Sequence, residues 1–519
     1  MKAFLTNTIQ VGAITLLSRV FGFARDLLIA KVLGAGRVSD AFFVAFKIPN
    51  LFRNIFAEGA FNSVFVPGFS AEFRKSPEAA RSYAKSIFAY LFHFLLIFTI
   101  LTQIFMPAVV GFFAPGFAGD AEKLALSIQL SKIIFPFLML IALTSFYGSI
   151  LNSIGLFAPY AATPIVLNIC IITAAILGAN NELLAAKYMS WAISVSGVMT
   201  LYMLWSIANK KGFGVFSLIP RRGREIATFF KNIGPGIISS GIYHVQVLIG
   251  TIFAAATNGA ISWLYYADRL VQLPLGVIGI AIATVMLPAI SAEEPGKASR
   301  LFNYSLIFAS LLILPCSVAL FILAAPIIAM FFEQGAFTAL DTIATANALK
   351  ILAVGLPAIV AVKLFANVFY ARQDTATPMI CAGIALVVHV GSTIVLCTEF
   401  GYLGVVAAIA LANWVNFFLL LGICLYRRLM HITLGTAAKT AMLAAVSFAL
   451  GAGLKLYMPP FTGYFLNDIF YMMGIGAAWL IAYAPFAWLV VRRWRKSPSN
   501  EEILPAAPAP KTRTRSRGR

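Results

Sequence analysis

MPAVVGFFAPGF at residues 106–117 returns as APIIAMFFEQGAF at 325–337, with Pro107, Phe112 and Phe113 falling on Pro326, Phe331 and Phe332. Pro136 in KIIFPFLML falls near Pro357 in KILAVGLPAIV, and VFVPGFSAEF (64–73) sets Pro67 on Pro288 of VMLPAISAEE (285–294). NSIGLFAPYAATP (152–164) sets Thr163-Pro164 on Thr377-Pro378 of NVFYARQDTATP (367–378). Each match is weak by itself. Four in the same order, at spacings of about 214 to 221 residues, read as an internal duplication.

Composition says what is duplicated. The chain has 519 residues, 61% hydrophobic and only 11% charged, with a mean hydropathy of +0.89, where a soluble chain would carry about 25% charge. This is an all-α polytopic membrane protein. Runs of about 20 apolar residues, enough to span, can be drawn at 7–33, 39–67, 82–113, 125–152, 157–179, 183–208 and 225–257. They continue at 262–291, 299–331, 341–370, 376–398, 402–426, 433–457 and 467–491, about 14 transmembrane helices in all. The first run follows Lys2 without a small-residue cleavage site and reaches spanning length, so it reads as a retained helix and not a signal peptide.

The duplication groups these runs into a six-helix lobe at 1–210, a second at 211–432, and two additional helices at 433–496. Because six is even, the lobes are parallel, an architecture in which transporters place substrate between the lobes near the bilayer midplane. Residues 497–519, Pro/Ala-rich and then basic, read as a disordered cytoplasmic tail. The net charge of +20 is mainly a topology signal and not a nucleic-acid footprint. Arg74, Lys75, Arg221, Arg222, Arg427 and Arg428 fall in alternate connections, and Arg492, Arg493 and Arg495 close the last helix. The other connections offer only Lys31, Arg37, Lys123, Lys187 and Lys455. Both termini are therefore expected in the cytoplasm. The five cysteines have no pairing or metal-ligand spacing.

Arg19, Arg25 and Arg53 stand inside spanning runs, where each costs roughly 2.5–3.5 kcal/mol on insertion scales. They should face protein or a wet cavity. There the planar guanidinium grips phosphate or carboxylate well, which points to an anionic substrate. By helical rise Arg19 lies about 18 Å in, near mid-membrane. Asp268-Arg269 sits in the eighth run. Asp26, Asp40, Lys47 and Glu58 accompany the arginines, and buried pairing and ligand contact both remain open for them. No P-loop, H-E-x-x-H, G-x-S-x-G or acidic metal pair is present. Transport is expected without ATP, leaving an ion gradient, the membrane potential or substrate flux as drive.

SRVFGFARD (18–26), SDAFFVAFKIPNLFRNIFAEGAF (39–61) and SWLYYADRLVQLPLGVIG (262–279) resemble the signature segments of the MurJ (MviN) lipid II flippase family of the MOP exporter superfamily. The resemblance runs in order through nearly all of the spanning region. It implies two six-helix lobes plus two helices, and a flippase that moves lipid II from the inner to the outer leaflet of the bacterial cytoplasmic membrane. It implies cavity arginines at Arg19, Arg25, Arg53 and Arg269, with Asp26, Asp40, Asn50, Glu58 and Ser262 at further polar substrate-binding positions. The two last helices would offer a groove for the lipid tail. Lipid II, membrane lipids and the cell-wall synthesis machinery are the expected partners of a monomer, with no cofactor, no metal and no enzymatic activity. Some members bind sodium among second-lobe carboxylates. Here 225–257 has no acid beyond Glu225 and 376–398 has none. Rival readings are a flippase for another polyprenyl-pyrophosphate glycan, a MOP-type drug or cation antiporter, and a membrane glycosyltransferase. A cation exporter would set acids where this chain sets arginines. A glycosyltransferase would need a catalytic carboxylate or metal set.

Overall fold

A computed structural model describes residues 2–53, 60–220, 223–293, 295–456 and 465–495. Every regular element among them is helical. The chain opens with α1 (Lys2–Leu33), α2 (Arg37–Arg53), α3 (Ala60–Lys75), α4 (Pro77–Ile104) and the short α5 (Met106–Phe113). A 3-10 turn at Pro115–Gly119 leads to α6 (Ala121–Ile134), α7 (Phe137–Ser153), α8 (Ala158–Ala161), α9 (Thr163–Leu177) and α10 (Glu182–Lys210). Next come α11 (Arg224–Ala254), α12 (Ala260–Pro274), α13 (Ile280–Ser291), α14 (Pro295–Ile322) and the short α15 (Ala324–Phe332). The last are α16 (Ala339–Tyr370), α17 (Ala376–Phe400), α18 (Tyr402–Tyr426), α19 (Leu434–Leu456) and α20 (Phe465–Arg495).

Local chemistry sets many of these boundaries. Ser76, Asp120 and Asn181 accept from the N–H groups of Ala79, Lys123 and Leu184 at 3.1, 3.1 and 3.0 Å. Each satisfies a donor that the first turn of α4, α6 or α10 would otherwise leave bare. Prolines 49, 67, 274, 288, 315, 357 and 485 lie inside helices. A π-helical turn at Leu275–Gly279 follows Pro274 directly, an accommodation expected where proline removes a backbone donor.

The helices are built for lipid. Among the described residues nine helical stretches are long and apolar enough to cross a bilayer, including Pro77–Ile104, Ala121–Ser153, Glu182–Lys210 and Ala339–Tyr370. In α10 the exposed face carries Trp191, Val198 and Tyr202, while the buried face carries Ser190, Ser196, Gly197 and Thr200. That is the reverse of a soluble helix. Small residues turned inward let helix backbones approach closely where lipid supplies no hydrophobic drive for association. The Phe-rich stretch at 42–46 packs inward: Phe42 and Phe43 are fully buried. On α3, Phe61, Phe65 and Phe69 stack in a ladder with centroids 5.1 and 5.7 Å apart against Phe146 and Tyr83.

The chain divides into two compact units. One comprises Met1–Gln272, Leu323–Gly355 and Met379–Val415, and the other Leu273–Ile322, Leu356–Pro378 and Asn416–Arg519. In the second, α14 packs along α19, and Gly451 of α19 fits against Val318 and Ile322 of α14 and Trp479 of α20. The turn before α17 is tied to the end of α18 by Arg427 and Asp374 at 3.0 Å. The Thr377 N–H and hydroxyl, with Arg427, hold the Asp374 carboxyl below the usual carboxylate range. The basic tail at 497–519 lies outside the described residues.

In the first unit the two copies of the duplicated motif make the same contact in exchange. Gly116, ending the first copy, presses on the α11–α12 turn, where a Cβ would stand 2.5 Å from backbone atoms of Ala255 and Ala256. Gly335, at φ 62°, lies against Lys31 in the last turn of α1, and the Ala336 N–H donates to the Lys31 carbonyl at 2.8 Å. Each copy thus docks a glycine turn on the first helix pair of the other. Overpacking such a contact costs about 1–3 kcal/mol. Gly116→Val is expected to speed hydrogen exchange at 255–260 about tenfold. Gly119→Val, which has open space around it, should leave exchange there unchanged.

Candidate functional site

α1 carries Arg25 and Asp26 side by side, and the pair is buried, at 7% and 2% exposure. Arg25 donates to Asp26 Oδ1 through Nε at 3.0 Å and Nη2 at 2.7 Å. Its Nη1 donates to Asn168 Oδ1 on α9 at 2.9 Å, and the Asn168 amide donates in turn to the Ser18 carbonyl. α12 brings the second cation. Arg269 Nε lies 3.2 Å from Asp26 Oδ2, an ion pair without hydrogen-bond alignment. Tyr265, one turn earlier, donates to Asp26 Oδ1 at 2.9 Å and accepts from Arg269 Nη2 at 2.9 Å and Arg25 Nη2 at 3.2 Å. Its ring stacks on Phe43 with centroids 4.0 Å apart. Two guanidinium groups therefore share one carboxylate and one phenol, and the exposed Asp268 carboxylate is close enough to act on the Arg269 charge as well. The Arg269 side chain keeps 35% of its surface exposed.

A second cluster lies around Asp40, which is fully buried. Its Oδ2 accepts from Lys123 Nζ and the Gly259 N–H, both at 2.7 Å, and its Oδ1 accepts from the Ser262 N–H at 3.0 Å and hydroxyl at 2.7 Å. The carboxylate thus caps the start of α12, satisfying two donors of its first turn and meeting the positive end of the helix dipole. Lys123 reads in sequence as a connection charge, yet it is 4% exposed. Its ammonium also donates to Asn258 Oδ1 at 3.0 Å and sits over the Phe117 ring at 4.3 Å. The reason is local: Asp120 starts α6 and turns Lys123 inward toward α2.

The other candidates fall elsewhere. Arg53 donates to Asn50 Oδ1 at 3.2 Å, and Asn50 donates to the Phe46 carbonyl at 2.8 Å. Arg19, half-buried on α1, joins neither cluster among the described residues. Lys47 donates to Thr251 Oγ1 at 3.3 Å, and Asp268 is exposed. Glu58 lies outside the described residues. The structure therefore joins Arg25, Asp26 and Arg269 in one site, and Asp40 and Ser262 in another. Sequence reasoning missed Tyr265 and Asn168. A signal for the first exists: Phe42-Phe43 in the first copy of the second helix becomes Tyr265-Tyr266 in the second copy, and a hydroxyl added to a buried ring needs a partner. Asn168 is a lone amide in an apolar helix and carries no comparable signal.

Many apolar helices with apolar side chains on their outer faces define a multi-pass membrane protein, and two of its arginines meet on a buried carboxylate. The model of the family described as "Lipid II flippase MurJ" matches residues 29–475. A probable lipid II flippase MurJ of Rhizobium tropici is 38% identical over 88% of this chain and 87% of its own length. The lipid II flippase MurJ of Burkholderia cenocepacia is 32% identical over 79% and 82%. A solved structure of lipid II flippase MurJ in an inward closed conformation superposes with a TM-score of 0.79 at 25% identity, covering 93% of this chain and 99% of that one. An inward-facing multidrug MATE transporter of the MOP superfamily shares the fold, with a TM-score of 0.63 at 17% identity over 81% and 98%. The chain belongs to the lipid II flippase MurJ family. It is a transporter rather than an enzyme.

Proposed function

We propose that this chain carries lipid II from the inner to the outer leaflet by alternating access, its arginines gripping the pyrophosphate. The observation that carries the reading is the convergence of Arg25 and Arg269 on the buried Asp26 and Tyr265. The Arg269 guanidinium, 35% exposed, is a place where a diphosphate replaces lost water with charge-assisted bonds. Arg19 on α1 and Arg53 on α2 add positive charge. Asp40 and Ser262 have a different part. Three bonds from Gly259 and Ser262 to Asp40 join α2 to the start of α12 and, with Asp26 on Arg269, close the outer end of the pathway while the headgroup is admitted from inside. Asn50 directs Arg53, and Glu58 follows in sequence as a further candidate for the headgroup. The polyprenyl tail stays in lipid along α19 and α20. Release follows when the outer contacts part, and no covalent bond is made or broken.

The wider architecture in this reading is fourteen spans in two six-helix lobes, 1–210 and 211–432, with two added helices at 433–496 and both termini in the cytoplasm of a bacterial inner-membrane monomer. The duplication and the distribution of lysine and arginine support it. The convergence of two arginines in one site favours an anionic cargo over the cations that a drug antiporter exports. Depleting the protein in its own cell, with lipid II exposure on the outer leaflet as the readout, tests the function. Exposure is expected to fall. Unchanged exposure in a cell lacking any second flippase would overturn the proposal.

A further inference from the structure

The Tyr265 hydroxyl has one proton and two lone pairs, and all three are used: it donates to Asp26 and accepts from Arg25 Nη2 and Arg269 Nη2. Two like-charged groups therefore converge on a single oxygen, at 3.2 and 2.9 Å. Left to themselves, two guanidinium ions repel. Asp26 pairs with both across its two oxygens, and the phenol brings an Nη2 of each to one point. Asp26 meets the two on separate oxygens, Arg25 on Oδ1 and Arg269 on Oδ2, and Asn168 holds Arg25 from its far side. The ring cannot drift, because it stacks on the fully buried Phe43 at 4.0 Å and lies under the Arg269 guanidinium, 4.5 Å from the ring centroid.

We infer that Tyr265 is a positioning residue for the headgroup: its hydroxyl sets the convergence of Arg25 and Arg269 so that two oxygens of a diphosphate can take them together. The inference rests on the reading that these arginines bind the pyrophosphate. It adds a specificity. A monophosphate is satisfied by one guanidinium and does not depend on the spacing between two, whereas a diphosphate spans both. Tyr265 thus serves discrimination between lipid diphosphates and lipid monophosphates, while Asn168 fixes the Arg25 half of the pair.

The test is a binding titration of the purified full chain in nanodiscs with polyprenyl pyrophosphate and, separately, polyprenyl monophosphate, the readout being the ratio of the two affinities. Tyr265→Phe keeps the stacked ring and removes only the hydroxyl. It should lower the ratio about tenfold, through the diphosphate affinity alone, as expected for loss of one charge-assisted bond. Tyr266→Phe is the matched control. That hydroxyl donates to the Gly34 carbonyl at 3.1 Å and touches no arginine, so its loss should leave the ratio unchanged. A purely structural role for Tyr265 would weaken both ligands alike. Should Tyr265→Phe fail to accumulate, Asn168→Ser reads the same claim with a smaller fall in the ratio, about threefold. If Arg269→Ala collapses the ratio and Tyr265→Phe and Asn168→Ser leave it intact, the positioning role is wrong and the arginine reading stands. If Arg269→Ala and Arg25→Ala also leave it intact, both fail.

Discussion

Asp40→Ala is expected to be the most damaging single substitution in the first unit. It strands the Lys123 ammonium, 4% exposed, beside the bare N–H groups of Gly259 and Ser262. Breaking a buried pair by removing one partner costs about 3–5 kcal/mol, because an uncompensated charge is left behind. Asp40→Asn should be milder, since an amide oxygen still accepts from Ser262 but does not neutralise Lys123. Adding Lys123→Met to Asp40→Asn should recover part of the loss. Thermal unfolding of the purified variants measures this, with Arg37→Ala as the reference. Arg37 is 57% exposed while it pairs with Asp120 at 2.9 Å, and such a surface pair contributes about 0–1 kcal/mol. If Asp40→Ala unfolds no earlier than Arg37→Ala, the cap does not hold α12.

The two arginines of the first cluster should fail in different ways, and exposure decides which. Arg269 keeps 35% of its surface exposed and contributes an ion pair without hydrogen-bond alignment to Asp26. Arg269→Ala should therefore fold and accumulate while transport falls about 10–100-fold, the worth of one charge-assisted bond to phosphate at about 1.5–3 kcal/mol. Arg269→Lys keeps the charge and loses the fork, so it should resemble alanine more than wild type. Arg25, at 7% exposure and bonded to Asp26, Asn168 and Tyr265, is part of the packing. Arg25→Ala should lower both abundance and transport. Protein level beside transport rate separates the two outcomes, and equal effects of the two alanines on both readouts would contradict the assignment.

Much of this was legible in the sequence because membranes punish exceptions. A buried arginine is costly enough that Arg25 and Arg269 announced a polar site, and the family resemblance placed them in one cavity. The duplicated Gly116 and Gly335 motifs were legible as sequence, although their exchange of contacts appeared only in three dimensions. What escaped was partnership. Sequence left Asp40 balanced between pairing and ligand contact. Its partners Lys123, Gly259 and Ser262 lie far away along the chain and are united only by packing. Lys123 looked like a connection charge because hydropathy counts a lysine near a helix start the same way whether the helix turns it out or in. Tyr265 and Asn168 cost little by apolar patterning, so no window of composition marks them. Arg19 shows the opposite limit: its depth was evident, yet among the described residues it joins neither cluster.

The central claim is that a lipid pyrophosphate crosses the membrane held by these arginines. Its most direct test is translocation of fluorescent lipid II in vesicles containing the purified protein, comparing wild type with Arg269→Ala at equal protein content. Wild type should move lipid II between leaflets well above the protein-free rate, and Arg269→Ala should fall 10–100-fold toward it. Equal rates for the two would show that the paired arginines are structural and that the headgroup is held elsewhere.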